Sequence, residues 1–160
     1  MSSEESPAFV RHYRADSRCL SEDGVGALIK QVYSSMNRMI DREMAPMGLT
    51  AMQWRPLMLV SLGKADTAAE LARLAAIDTG AMTRTLDRLQ AKGLLRRVRS
   101  QEDRRVIKLE LTDAGRETAA KIPAVLAQML NHHLRGFDAS EVSQLRHFLL
   151  RMLANGSLQG

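Results

Sequence analysis

The chain of 160 residues has little of what several protein classes depend on. It has a single cysteine, Cys19, so no internal disulfide can form, which fits a reducing compartment such as the cytoplasm. No apolar run approaches the roughly 18 residues that a membrane-spanning helix needs, and residues 1–14 lack the apolar core of a secretory signal. Aromatic residues make up only 4% of the chain, and this scarcity favours a mainly helical fold.

The sequence also lacks the patterns that carry common enzyme chemistry. It contains no pairing of nucleophile and base, no phosphate-binding glycine loop and no metal-ligand spacing. Adjacent His132 and His133 point to different faces of a helix, so they cannot easily hold one metal ion together. We therefore expect neither an enzyme nor a protein with a metal or another cofactor.

The positive charge of the chain is concentrated in one segment. Residues 79–110 contain nine Lys or Arg and four acids, an excess of five that equals the net charge of +5 of the whole chain. The other residues balance at 14 basic and 14 acidic side chains. A surface with such a concentrated positive potential most commonly binds nucleic acid.

Apolar periodicity and capping motifs predict the helices. Long helices are expected over about 21–45, from the cap Thr112 to about 135, and from 139 to about 153, with Pro123 bending or interrupting the second of these. Capping boxes, in which a cap side chain and an acid or amide three residues later bond to free N–H groups, are expected to start three helices. These boxes are Thr50 to Gln53, Thr67 to Glu70 and Asp138 to Glu141, and they predict helices from 51 to 62, from 68 to 75 and from 139 onward.

Residues 66–111 show the pattern of a complete winged helix-turn-helix. A short helix and a turn precede a recognition helix over 79–92, and a basic hairpin follows with arms 94–99 and 106–111. On the recognition helix, small and basic side chains lie opposite the apolar face, where the helix can enter a major groove; they are Gly80, Thr83, Arg84 and Arg88. Past the hairpin tip, Arg104 and Arg105 can reach a minor groove, and Asp103 is expected to brace an arginine.

A ligand pocket is a second prediction from the residues. Tyr33 and Trp54, together with the flexible side chains of Met36 and Met58, suit a planar apolar ligand between the first two helices and the basic lobe. Its carboxylate would be neutralised by Arg55 or Arg97. The alternative is that these side chains only fill the core.

Three stretches within residues 25–155 resemble the MarR family of transcriptional regulators. They are Gly48-Leu49-Thr50-x-x-Gln53-Trp54-x-x-Leu57, Asp78-x-Gly80-Ala81-Met82-Thr83-Arg84-x-Leu86-Asp87-Arg88-Leu89-x-x-Lys92-Gly93-Leu94-Leu95-x-Arg97, and Asp103-Arg104-Arg105-x5-Leu111-Thr112-x-x-Gly115. The resemblance implies a homodimer that binds a palindromic operator in double-stranded DNA, usually as a repressor of an adjacent catabolic or efflux operon. It also implies release from DNA by a small phenolic or aromatic carboxylate, as in many members.

The resemblance further implies which residues contact DNA and how the chain is organised. Major-groove contacts fall from Thr79 to Arg84, with Arg88 in support, and Arg105 enters the minor groove. The expected organisation is mainly α with a small β-wing: a flexible arm over 1–20, dimerisation helices over 21–47 and 112–156, and a winged helix-turn-helix DNA-binding lobe over 48–111.

Two alternatives remain open from the sequence. One branch of the family senses peroxide through a cysteine, which raises the possibility of a redox role for Cys19, although this residue precedes the first helix. The chain could also be a winged-helix module that binds a small molecule or a protein without reading DNA.

Overall fold

The computed structural model describes residues 12–13 and 21–157, which form a mainly helical fold with a small antiparallel sheet. A single 3-10 turn at Ala45–Met47 follows the first helix. In chain order the helices and strands are α1 (Val25–Met44), α2 (Trp54–Ser61), α3 (Ala68–Ala75), α4 (Thr79–Ala91), β1 (Leu95–Arg99), β2 (Ile107–Leu111), α5 (Asp113–His133) and α6 (Ala139–Ser157). The predicted fold class, a helical chain with a β-wing, is confirmed.

Local capping explains where the helix-turn-helix elements begin. The N–H of Glu70 donates to Oγ1 of Thr67 over 3.3 Å, and Oε2 of Glu70 accepts from the N–H of Asp66 over 3.2 Å. This capping box starts α3 at the predicted residue. Asp78 caps α4 in the same way, since its Oδ1 accepts from the N–H of Ala81 over 3.0 Å.

Three helix boundaries differ by three or more residues from the sequence prediction. Helix α1 begins at Val25 and not at about residue 21. Helix α2 begins at Trp54 and not at residue 51, because only half of the first capping box forms. Oε1 of Gln53 accepts from the N–H of Thr50, as the box requires. The N–H of Gln53, however, donates to the backbone carbonyl of Thr50 in a turn and not to the Thr50 side chain. Helix α6 continues through residues 155–156 to Ser157. Asn and Gly only lower the helix propensity at such positions, and no proline follows them to end the helix.

Helix α5 runs without interruption through Pro123. Proline removes one backbone donor, and its ring is exposed. The neighbouring Ile122 is fully buried, and Met129, about two turns later, is also buried. Packing of this helix face therefore outweighs the lost hydrogen bond. Thr112 caps α5 as predicted, with its Oγ1 accepting from the N–H of Gly115 over 3.0 Å.

The core lies within the winged lobe and against the C-terminal half of α1 and the middle of α5. Met82, Leu86 and Leu89 of α4 are fully buried, as the periodicity predicts. In the hairpin, Leu95 pairs with Leu111, and both side chains point into the core. The N–H of Leu109 donates to the carbonyl of Asp66 over 2.6 Å, so the wing is held against the segment that precedes α3.

Large apolar faces outside the lobe are uncovered. No residue of α6 is buried. The exposed apolar side chains of α1 and α6 are Val25, Leu28, Ile29, Val32 and Tyr33, and Leu145, Phe148, Leu149, Leu150, Met152 and Leu153. Apolar patches of this extent on a single chain mark an interaction surface. Within residues 12–13 and 21–157, no helix is both long and apolar enough to cross a lipid bilayer.

Candidate nucleic-acid interface

The predicted contact residues of α4 form one exposed face. Thr79, Gly80, Thr83, Arg84 and Arg88 are all exposed, because the apolar residues of the same helix are fixed in the core on its other side. A Cβ at Gly80 would lie 3.2 Å from Oδ1 of Asp78 and 3.6 Å from Nη1 of Arg84. The missing side chain thus keeps the first turn open and leaves space for the Arg84 guanidinium beside it. This is the narrow helix start that a major groove can admit.

The hairpin tip is shaped by hydrogen bonds to its own backbone. The buried hydroxyl of Ser100 accepts from the N–H groups of Glu102 and Asp103, over 3.2 and 3.4 Å. Oδ1 of Asp103 accepts from the backbone N–H of Arg105 over 2.9 Å. Asp103 therefore braces the tip, but through the backbone and not through an arginine side chain as the sequence suggested. Arg104 and Arg105 project from this turn into solvent.

The arginines predicted to contact DNA carry free charges. Among the residues that the structure describes, no carboxylate forms an ion pair with Arg84, Arg88, Arg104 or Arg105. The neighbouring Arg96 is neutralised instead, because it pairs with Glu110 over 2.8 Å. The uncompensated potential therefore lies on the α4 face and the hairpin tip.

Lys108 on β2 is another neutralised cation. Its Nζ lies 3.1 Å from Oδ2 of Asp66, and this hydrogen-bonded carboxylate raises the pKa of the Lys108 ammonium above its ordinary value. The ion pair helps to hold the wing against the segment before α3.

Arg97 does not line a ligand pocket, contrary to the sequence prediction. Its Nη2 lies 2.6 Å from Oδ1 of Asp87, and its Nη1 donates to Oε1 of Gln90 over 2.6 Å. Because β1 packs against α4, this guanidinium faces the recognition helix. Arg97 cross-links the wing to the recognition helix.

A cavity of about 450 Å³ lies where the pocket was predicted, between α1, α2 and the turn after α3. Tyr33, Met36, Trp54 and Arg55 line it, but Met58 does not; Met58 packs half-buried against the core. Nη2 of Arg55 donates to the carbonyl of Leu74 over 3.0 Å, at the C-terminal end of α3. Residues 75–77, the turn that leads into α4, form part of the wall. The cavity therefore adjoins the recognition helix.

Both ring nitrogens of His133 have hydrogen-bond partners. Nδ1 donates to the carbonyl of Met129 over 2.9 Å, and in the neutral imidazole Nε2 then accepts from the hydroxyl of Ser35 over 3.1 Å. In residues 12–13 and 21–157 no cluster of three His, Cys, Asp or Glu is arranged to hold a metal. Cys19, the candidate redox residue, lies outside the described residues. Of the arm over 1–20, only His12 and Tyr13 are described, and the Tyr13 hydroxyl accepts from the N–H of Val25 over 3.1 Å.

The contacts of a group of residues at the end of α4 were not predicted from the sequence. Nζ of Lys92 contacts Oε1 of Gln53 over 2.7 Å and also the carbonyl of Gly48. Oγ1 of Thr112 donates to the carbonyl of Gly93 over 2.6 Å. Lys92, Gln53 and Thr112 all occur in the motifs quoted above, which was the available signal, but their contacts join residues 19 to 44 positions apart.

Known proteins with the same fold were found by comparison. A model of the MarR family matches residues 47–106. The multiple antibiotic resistance protein MarR of Escherichia coli strain K12 is 30% identical over 130 residues, which are 81% of this chain and 90% of that protein.

Solved structures agree with this relationship. A mutant MarR from E. coli complexed with operator DNA is 28% identical, with a TM-score of 0.74 over 81% of this chain and 93% of that one. The reduced form of E. coli MarR is also 28% identical, with a TM-score of 0.71 over 81% of this chain and 96% of that one. The chain belongs to the MarR family of winged-helix transcriptional regulators.

Proposed function

We propose that this protein is a homodimeric repressor that works in the cytoplasm and binds a palindromic operator in double-stranded DNA near a catabolic or efflux operon. The observation that carries the proposal is the pair of exposed, uncompensated arginine surfaces on one lobe, at the start of α4 and at the hairpin tip. The complex of a related MarR with operator DNA supports it. We propose no enzymatic activity for this protein.

Each surface suits one groove of the duplex. The segment from Thr79 to Arg84 enters the major groove, where Arg84 donates to a guanine edge and Thr83 contacts a base or phosphate. Arg88, one turn further along the helix, contacts phosphate. Arg105, with Arg104 beside it, enters the adjacent minor groove, whose narrow A·T stretches attract guanidinium groups. Asp103 holds the backbone of Arg105 in place for this contact.

The uncovered helices supply the dimer contact. The exposed apolar faces of α1 and α6 lie outside the winged lobe, and a second copy covers them with the same faces around a twofold axis. Two recognition helices about one DNA turn apart, roughly 34 Å, then read the two halves of a palindrome.

A salt titration tests DNA binding. We expect the purified protein to bind duplex DNA flanking its own gene and to lose at least about 1000-fold in affinity between about 50 and 200 mM salt, because each phosphate contact releases a counterion. Fluorescence anisotropy measures the affinity, and sedimentation of the same sample should give two chains per duplex. Absence of binding at the lowest salt would instead favour a winged-helix module that recognises a small molecule or protein without DNA.

We also propose that a small aromatic carboxylate occupies the cavity and releases the protein from DNA. Trp54, Tyr33 and Met36 offer apolar contacts for a planar ring, and Arg55 offers a cation for the carboxylate. Because residues 75–77 line the same cavity, a bound ligand contacts the turn that sets the position of α4.

Thermal melting with a panel of benzoate and hydroxybenzoates tests the ligand. At about 100 times the dissociation constant, a ligand adds ~2.7 kcal/mol to the free energy of unfolding, which raises Tm by about 5–10 °C. Arg55→Met should abolish this rise. Arg73→Met, on an exposed arginine of α3 outside the cavity lining, should keep it. A panel that leaves Tm unchanged for the wild-type protein contradicts the ligand proposal.

A further inference from the structure

The C-terminal end of the recognition helix is bonded to the turn that follows helix α1. Lys92 is the C-cap residue of α4, and its ammonium reaches the carbonyl of Gly48 and Oε1 of Gln53. Gly48 ends the 3-10 turn that follows α1, in the left-handed conformation with φ of 69°. One side chain thus ties α4 to the turn at the end of α1.

Gln53 gives this contact a fixed partner. The residue is only 3% exposed, and its side-chain Oε1 also accepts from the N–H of Thr50 over 3.2 Å. The Oε1 atom of Gln53 therefore accepts two hydrogen bonds, from the N–H of Thr50 and from the ammonium of Lys92. The buried amide has little freedom to rotate, because a change of rotamer would break both bonds. Lys92 is therefore held by a rigid acceptor, which distinguishes it from a lysine whose ammonium moves freely in solvent.

The same end of α4 is bonded to the start of the other dimerisation helix, α5. Oγ1 of Thr112 donates to the carbonyl of Gly93, and the N–H of Thr112 donates to the carbonyl of Leu94 over 3.2 Å. The turn after α1 and the start of α5 therefore both contact the end of the recognition helix. The Thr112 contacts lie next to Lys92 in sequence, but among the hydrogen bonds of the described residues only those of Lys92 connect this point to the turn after α1.

We infer that Lys92 is a positioning residue that sets the direction of the recognition helix relative to the dimerisation helices and so fixes the spacing of the two half-sites that the dimer accepts. This inference rests on the proposed binding of a palindromic operator. The 13 residues of α4 span roughly 20 Å from this anchor to Thr79. A swing of ~10° about the anchor moves the DNA-contacting end by about 3.5 Å, close to the ~3.4 Å rise of one base pair.

The experiment measures spacing tolerance, which loss of stability alone does not change. The wild-type protein first selects its operator from random duplex DNA, and affinities are then measured for that operator and for versions with one base pair inserted or removed at the centre. For the wild-type dimer we expect each change to weaken binding by about tenfold or more, because both helices cannot then reach their half-sites. Lys92→Met should reduce this penalty to about threefold or less.

Two further variants separate positioning from charge and from folding. Gln53→Met removes the acceptor without changing the charge and should relax the spacing penalty to the same degree, and the double variant should relax it no further. Lys121→Met removes the same charge from an exposed position on α5 and should keep the wild-type penalty. Melting curves confirm that each variant is folded.

The outcomes of this experiment are distinct. A wild-type protein that selects no DNA contradicts the proposed function itself. A wild-type protein that binds with a clear spacing penalty, together with Lys92→Met and Gln53→Met variants that retain it in full, overturns the positioning role and leaves the proposed function standing. Relaxed spacing in both variants, but not in Lys121→Met, is the result that the inference requires.

Discussion

Replacement of Gly115 by alanine should destabilise the protein more than any other single methyl addition to a described glycine. A Cβ at this position would lie 1.8 Å from the carbonyl oxygen of Leu94 and 2.9 Å from its carbonyl carbon. Both are backbone atoms of the segment that joins α4 to β1, so no side chain can rotate away. We expect a loss of about 3 kcal/mol or more in the free energy of unfolding and a fall in Tm of about 10 °C, measured by circular dichroism.

Gly156→Ala is the matched control. Gly156 also lies in a helix, and nothing is within 4 Å of the Cβ that it would gain. Alanine has the higher helix propensity, so this variant should melt at the wild-type temperature or slightly above it. Equal melting of Gly115→Ala and the wild-type protein would contradict the close approach of α5 to the end of α4.

Loss of the two exposed arginine contacts should give the largest effect on operator binding. Arg84→Ala removes the proposed major-groove contact, and Arg105→Ala removes the proposed minor-groove contact of the other surface. A single arginine contact with DNA contributes ~1–3 kcal/mol, and the dimer loses two of them in each variant, so we expect each substitution to weaken binding by roughly 100-fold. The affinity of the purified dimers for the selected operator measures this loss.

Arg135→Ala provides a comparison of equal charge. Arg135 is exposed between α5 and α6, away from both arginine surfaces, and its removal should leave operator affinity within a few-fold of the wild type. The dimer should stay intact in all three variants, since neither arginine surface overlaps the apolar faces of α1 and α6. Wild-type affinity in both Arg84→Ala and Arg105→Ala would exclude these two surfaces as the DNA contacts.

The features that the sequence predicted well depend on neighbours along the chain. The capping box at Thr67 and the buried face of α4 involve residues three or four positions apart, so one helical turn decides them. Charge concentration is also visible without a fold. Even here the tertiary structure intervened: the box at Thr50 is only half formed, and the side chain of Gln53 is shared with Lys92 from the recognition helix.

The side chains whose contacts were predicted wrongly are long and flexible, and their partners are distant in sequence. Arg97 was one of two candidates, with Arg55, for a ligand carboxylate, yet the packing of β1 on α4 brings it to Asp87 and Gln90. Met58, assigned to the same pocket, packs against the core instead. An arginine has many rotamers and several acids within reach, so sequence alone does not select its partner.

The sequence by itself determined the helical class, the winged helix-turn-helix, its basic faces and the family. Periodicity, capping motifs and charge concentration depend on residues that are close together in the sequence. Only the tertiary structure decided which arginines of the described residues have no ion pair, which residues line the cavity, and that the turn after α1 and the start of α5 meet the end of the recognition helix at Lys92 and Gly93. These contacts join positions up to 44 residues apart. They exist only once the apolar faces have packed and brought those backbone segments together.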